Sequence, residues 1–296
     1  MEEKKLLGKP VAEKINSMVG EKVNFLKSKG IEPKLSVVLV GNDPASSVYV
    51  GMKEKACIQL GIHSKTYRLP ENTSEKDLLD LVQQLNQDAK NHGILVQLPL
   101  PKHINEDKII NTINVKKDVD CFHPENVGRI VAGNPYVLPC TPAGIVEILK
   151  YYKIETSGSH TVIIGRSNIV GKPMANILMQ KAEYANATVT VTHSRTKNIS
   201  SYTKQADILI AAMGKAKFVT SDMVKEGVVV IDVGINRIDA DNEKGYALVG
   251  DVDYENVAPK ASFITPVPGG VGPMTIAMLM SNTALAAATQ NGIKLE

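Results

Sequence analysis

Cysteine is scarce in this sequence and unpaired: Cys57, Cys121 and Cys140 are odd in number and far apart. That excludes a disulfide framework or a Cys-x-x-Cys metal pair, and it suits a reducing compartment. The 6 histidines show no H-E-x-x-H or other paired-ligand spacing, so no metal centre is expected. An excess of either charge is also missing. Lys and Arg number 34 against 31 Asp and Glu, and the net charge of +3 is too slight for general nucleic-acid binding. No apolar run, Ile276 to Met280 being among the longer ones, approaches the roughly 20 residues that cross a bilayer. The amino-terminal MEEKKLLGKP carries Glu2 and Glu3 and no apolar stretch. This argues against a secretory signal or transit peptide and for a cytoplasmic protein.

What is present is a regular alternation of helix-period segments with short apolar runs, over a length of 296 residues that suits two α/β domains. The first series reads as a helix near Pro10 to Lys29, a strand Leu35 to Val40 and a helix Pro44 to Leu60. A helix between Thr73 and Ala89 and a strand Ile94 to Gln97 follow. Asp43-Pro44 has the form of an N-cap with proline at the first helical position, and Gly30 and Gly61 stand where helix C-caps belong. A second series begins after Ser157-Gly-Ser159, with strands Thr161 to Ile164, Thr188 to Thr192, Ile208 to Ala212 and Val228 to Val233. Helices Pro142 to Tyr152 and Pro273 to Ala288 flank it, so the second series reads as a domain inserted into the first. The expected division is residues 1–141 plus 274–296, and 142–273.

Within the second series GRSNIVGKP, Gly165 to Pro173, lies between a strand and a helix. Such a turn either holds the pyrophosphate of a dinucleotide or simply joins the two elements; Gly165-x-Ser167-x-x-x-Gly171 departs from G-x-G-x-x-G. The strand after it reads TVTVTHSRT and carries no carboxylate from Thr188 to Thr196. His193, Ser194 and Arg195 offer donors in place of the acid that holds an NAD ribose, and Arg166 adds a charge. NADP is favoured, unless these arginines are merely solvated surface cations.

In the first series Tyr49 and Lys53 stand four residues apart on one helix face, either at a ligand or along a solvated edge. Gln97 ends the strand before Leu98-Pro99-Leu100-Pro101. Asp118 and Asp120 fall in an irregular segment, where Asp120 is either functional or a turn former. The run Thr265-Pro-Val-Pro-Gly-Gly-Val-Gly-Pro-Met-Thr275 offers a surface poor in side chains against which a ligand can lie, or a linker.

Taken together, YVGMK at 49–53, VQLPLP at 96–101, KDVDCFHPENVGR at 117–129, PCTPAG at 139–144, GRSNIVGKP and PVPGGVGPMT closely resemble the bifunctional methylenetetrahydrofolate dehydrogenase/cyclohydrolase family. The resemblance spans nearly the whole chain. It implies an α/β fold of an N-terminal substrate domain and a Rossmann-like NADP domain with a parallel sheet, and a cleft between them. It implies NADP-linked oxidation of 5,10-methylenetetrahydrofolate to the methenyl form, hydrolysis to 10-formyltetrahydrofolate, and a homodimer. By resemblance Lys53 is the catalytic lysine, Gln97 its partner, Asp120 the pterin-binding aspartate and Tyr49 the tyrosine packed on the folate. Val96, Leu98 and the stretch Pro268, Gly269, Gly270, Val271 and Gly272 line the folate site. Gly165, Arg166 and Ser167 form the phosphate turn, Ser194 and Arg195 lie at the adenosine end, and Ile235 lies at the nicotinamide end. Cys121 departs from the family's usual glycine, and would strain the segment if φ there is positive. Three rival readings are an NAD-linked enzyme performing the dehydrogenase step alone, a non-catalytic dinucleotide sensor, and a shikimate-type dehydrogenase; the last leaves PGGVGPMT unexplained.

Overall fold

The computed structural model describes residues 4–242 and 245–295, and the chain divides into two compact units. One holds Glu13–Cys140 with residues 276–295, the other residues 4–12 with Thr141–Thr275. The expected division had placed the amino terminus with the first series, whereas residues 4–12 belong with the second. Lys5 forms a parallel bridge to Ile264, and the Leu6 and Gly8 amides donate to the Ile264 and Gly269 carbonyls, each at 2.9 Å. A segment this short has no period from which such a pairing could be read.

In the first unit the chain runs through α1 (Gly8–Ser28), β1 (Lys34–Val40), α2 (Pro44–Leu60), β2 (His63–Leu69), α3 (Glu75–Gln87) and β3 (Gly93–Val96). The strands form a parallel sheet in the order β2-β1-β3, with Lys34 beside His63 and Leu35 beside Gly93. Central β1 is buried beyond its first residue, as its apolar run, broken only by Ser36, requires in a sheet covered on both faces. Edge strand β2 alternates partly buried and exposed residues, so its sequence HSKTYRL has no apolar run to betray it. Leu78, Val82 and Leu85 of α3 bury one helix face against Val38, Val40, Ile94 and Val96. Each such side chain contributes about 1.5–3 kcal/mol of burial. The α2 caps agree with expectation: Asp43 accepts the Ser46 amide at 2.7 Å, and Gly61 closes the helix at φ +68°. Because the chain passes from β1 to β2 on one side and then to β3 on the other, the winding reverses at the carboxyl end of β1. That is where open α/β sheets form their ligand crevice.

The second unit contains β4 (His160–Ile164), α7 (Gly171–Leu178), β5 (Thr188–Thr192), α8 (Ile199–Thr203), β6 (Ile208–Ala211) and β7 (Val229–Asp232). Then follow β8 (Asn236–Asp239), β9 (Tyr246–Val249), α9 (Tyr254–Val257) and β10 (Phe263–Ile264). Five parallel strands are ordered β10-β7-β6-β4-β5, a doubly wound arrangement that reverses at the carboxyl end of β4. Its core joins Val162 and Ile164 to Leu209, Ala211, Val230 and Ile264. The antiparallel β8–β9 hairpin and two-residue β10 were not anticipated, being half-exposed or too short for a pattern. The remaining helices are α4 (Glu106–Thr112), α5 (Pro124–Val131), α6 (Cys140–Tyr151) and α10 (Gly272–Gln290). Among the described residues no helix is long and apolar enough to cross a membrane.

Candidate active site

At the carboxyl end of the three-stranded sheet, three of the expected residues come together. Lys53, only 8% exposed on α2, donates from Nζ to Gln97 Oε1 at 2.9 Å. Gln97 follows β3 directly; its amide continues the ladder to the Val38 carbonyl, and its side-chain Nε2 donates to the Leu98 carbonyl at 2.8 Å. That second bond fixes which end of the amide faces the lysine. Gln97 therefore presents an acceptor to Lys53 Nζ. Tyr49 stands one turn earlier on α2, half-buried, and burial pushes its phenol pKa up. Val96 is buried in the sheet core, so its side chain is not available to a ligand, while Leu98 is half-buried against the same cluster.

Asp120 completes the group. Burial raises its carboxyl above the ordinary range, the nearby Lys53 charge partly offsets this, and Asp118 adds to the rise. The Cys140 thiol donates to Asp120 Oδ1 at 3.6 Å, and Asn282 of α10 holds the surrounding backbone through the Val119 and Leu138 carbonyls at 2.8 and 2.9 Å. Neither Cys140 nor Asn282 was singled out by sequence reasoning. The available signal was a lone asparagine in the apolar run of α10. The turn-forming role belongs to Asp118, which accepts the Phe122 and His123 amides and Asn126 Nδ2 at 3.2, 2.9 and 2.8 Å. Between Asp120 and this turn, Cys121 adopts φ +63°, with its buried thiol against the Val137 carbonyl at 3.2 Å. The position does require the left-handed conformation that favours glycine.

In the second unit, Gly165 to Gly171 forms a tight turn from β4 into α7. A Cβ on Gly165 would overlap the Ala212 carbonyl oxygen; one on Gly171 would overlap the Gly165 oxygen and stand 2.6 Å from the Gly165 carbonyl carbon. Both glycines are therefore demanded by backbone packing. Ser167 closes the turn ahead of the helix, its hydroxyl accepting the Val170 and Gly171 amides at 3.1 and 3.4 Å. Those two helix donors are thus occupied within the chain, and Arg166 is the exposed charged group of the turn. Ser194 and Arg195 are exposed just beyond β5, where the His193 amide bonds Thr196 Oγ1 at 3.0 Å and the Arg195 amide bonds His193 Nδ1 at 3.2 Å. The tight turn bounded by Gly165 and Gly171, two exposed arginines and absence of a carboxylate from 193 to 197 suit a dinucleotide carrying a 2′-phosphate.

A buried acid pair that sequence reasoning missed organises the rest of this end. Asp251 accepts the Met213, Gly214 and Lys215 amides at 2.7, 2.9 and 2.9 Å, and Asn236 Nδ2 at 2.9 Å. Asp232 accepts the Gly234, Asp251 and Val252 amides, and burial raises its pKa to about 6. Its own amide donates to Thr265 Oγ1 at 2.7 Å, which ties β7 to the start of the 265–275 run. In that run Gly269 has φ +107° and the Gly270 amide donates to the Pro266 carbonyl at 2.8 Å. A Cβ on Gly272 would stand 3.9 Å from Ile235 Cδ1, so the half-exposed Ile235 and the Pro268–Gly272 stretch are neighbours. Among the described residues no group of three or more His, Cys, Asp or Glu side chains could hold a metal ion.

The comparisons with known proteins agree along the length of the chain. Residues 6–120 match the catalytic domain of tetrahydrofolate dehydrogenase/cyclohydrolase, and residues 139–291 match its NAD(P)-binding domain. The bifunctional protein FolD of Chlorobium phaeobacteroides is 57% identical over 280 residues, covering 93% of this chain and 95% of its own. A crystal structure of the Campylobacter jejuni FolD enzyme, 54% identical, superposes with a TM-score of 0.91 over 96% of this chain and 98% of its own. A crystal structure of the Trypanosoma brucei enzyme complexed with NADP cofactor and inhibitor is 37% identical, with a TM-score of 0.90 over 96% of each chain. This chain belongs to the tetrahydrofolate dehydrogenase/cyclohydrolase family.

Proposed function

We propose that this chain oxidises 5,10-methylenetetrahydrofolate with NADP and hydrolyses the methenyl product to 10-formyltetrahydrofolate, with Lys53 as the group that moves protons in the second reaction. The observation that carries the assignment of Lys53 is its buried 2.9 Å bond to Gln97 beside Asp120.

The chemistry divides the work of these residues. In the first reaction the N5 and N10 lone pairs of the folate stabilise a cation as the bridging carbon gives up a hydride, so no base is needed. NADP, when bound, supplies the acceptor for that hydride. The chain's task is to orient the carbon and avoid opposing the developing positive charge. In the second reaction water adds to the same carbon. Lys53 takes the proton that water releases, and a proton reaches N5 as the carbon–N5 bond breaks and the formyl C=O forms. Gln97 holds Nζ in place through its oxygen. Asp120 offers carboxylate oxygens to N–H groups of the pterin, Tyr49 offers a flat face, and Leu98 and the Val96 backbone line the folate; by the family resemblance Pro268–Gly272 also serves the folate. Arg166, Ser194 and Arg195 hold the phosphate groups of NADP, with Ile235 at its nicotinamide end.

The division into a folate unit and an NADP unit, a homodimeric state and a cytoplasmic location belong to the same reading. Three buried, unpaired cysteines support the reducing location. Sedimentation equilibrium tests the dimer. Lys53→Met retains the stem of the side chain and removes the proton carrier. Methenyl hydrolysis should fall by about 10²–10⁴-fold, the usual contribution of a general base, while reduced NADP formation falls less. Undiminished hydrolysis by that variant would refute the role.

A further inference from the structure

A cavity of about 560 Å³ opens at the amino end of the β2-β1-β3 sheet, lined in part by Lys34, His63, Lys65, Lys90, His92 and Asn291. Lys34 and His63 begin β1 and β2, and His92 immediately precedes β3, whereas Gln97 immediately follows it. At about 3.3 Å per residue, His92 and Gln97 are separated by roughly 16 Å along the strand. The cavity is therefore distinct from the Lys53 site.

Its lining is basic, and part of the charge is already answered. Lys34 Nζ lies 3.0 Å from Asp88 Oδ2, and His63 Nε2 lies 2.9 Å from Glu32 Oε2. Lys65 and Lys90 are exposed and have no carboxylate partner among the described residues. A second observation concerns His92, only 5% exposed. Its Nδ1 accepts the Lys34 amide at 3.2 Å, so in the neutral ring Nε2 carries the proton. Burial, with the Lys117 charge nearby, holds the His92 pKa below the ordinary value and keeps the ring neutral near pH 7. Asn291 Nδ2 stands 3.4 Å from that Nε2 and gives one of its hydrogens to the Ala287 carbonyl at 2.8 Å. In that tautomer Nε2–H and Asn291 Nδ2 are both donors, and no acceptor for Nε2 is seen among the described residues. A ligand oxygen accepting from both would satisfy them together.

We propose that this cavity binds a small, multiply charged oxyanion, His92 and Asn291 donating to one of its oxygens while Lys65 and Lys90 supply the counter-charge. The ligand class is a phosphorylated or polycarboxylate metabolite, since both present clustered anionic oxygens.

The test uses the full-length protein saturated with NADP, so that the phosphate turn at Gly165 is filled. Pyrophosphate and citrate are titrated separately at constant ionic strength, with sodium chloride as the control. The His92 Nε2–H resonance is followed by NMR, in the wild type and in the exposed double variant Lys65→Glu, Lys90→Glu. The expected result is a saturable shift with Kd below about 1 mM, at least about tenfold weaker in the variant, whose dehydrogenase turnover is unchanged. Response to pyrophosphate alone assigns phosphate, response to citrate alone assigns carboxylate, and response to both assigns a general oxyanion site. An unmoved His92 signal, an equal response to chloride, or equal affinity in the variant would overturn the proposal.

Discussion

Cys121 offers the sharpest test of the local physics beside Asp120, because its φ of +63° closes the usual gap between small substitutions. Consider Cys121→Ala and Cys121→Gly. Both remove the thiol and its contact with the Val137 carbonyl, so that loss cancels between them. Three terms separate the variants. Alanine keeps a left-handed residue with a Cβ, which costs about 1–2 kcal/mol relative to glycine. Glycine has the more disordered unfolded chain, a disadvantage of about 0.4–1 kcal/mol. Glycine also buries one carbon fewer, worth about 0.8 kcal/mol. At central values these cancel, and the two variants should have stabilities within roughly 0.5 kcal/mol of each other. At an ordinary buried position, where the first term is absent, glycine would be the weaker by about 1.5 kcal/mol. For a unit of this size that is a gap of roughly 3–6 °C in thermal midpoint. Scanning calorimetry of both purified variants measures it. A glycine variant melting 3 °C or more below the alanine variant would show that the backbone at 121 is not held left-handed in solution. The argument for strain at Cys121, next to Asp120, would then fail.

Three further outcomes follow from the second unit. Gly171→Ala places a Cβ into the Gly165 backbone, which cannot rotate away; it should cost about 3 kcal/mol and raise the KM for NADP while methenyl hydrolysis persists, and unchanged stability and KM would refute the close packing. Burial raises the folded pKa of Asp232 to about 6 from the ordinary 3.8 of an aspartate. Its raised value means the folded state binds the proton more tightly, so its contribution is full below pH 4 and is lost as pH rises through 6, about 3 kcal/mol in all. Asp232→Asn should remove that part of the stability slope between pH 4 and 6, and an identical slope in wild type and variant would contradict the assignment. Arg195→Ala should weaken NADP, measured by its KM, by about tenfold or more while leaving NAD nearly unaffected; equal loss for both cofactors would move the 2′-phosphate elsewhere.

Much of the architecture was legible because its signals are local. Asp43-Pro44 and Gly61 mark the ends of α2 through capping chemistry that acts within four residues, and the apolar runs of β1, β4, β6 and β7 are long enough to reveal buried strands. Polar β2, the half-exposed β8–β9 hairpin and the Lys5–Ile264 bridge were not legible. Their pairing is set by partners distant in sequence rather than by their own composition.

The motifs placed Lys53, Gln97 and Asp120 among the functional candidates, but distance in sequence leaves their mutual geometry undetermined. The fold decides that Gln97 turns its oxygen to Lys53, because the Leu98 carbonyl claims the amide nitrogen. It also decides that Asp118, not Asp120, makes the turn, that Cys140 and Asn282 support Asp120, and that Asp232 and Asp251 gather separate loops. The sequence by itself determined the helix ends, the buried strands and the residue types available for folate and NADP chemistry, since capping, periodicity and side-chain identity are short-range properties. Only the tertiary structure decided which donor meets which acceptor and how far each carboxyl is removed from water, because hydrogen-bond direction and desolvation depend on atoms that the chain brings together from far apart.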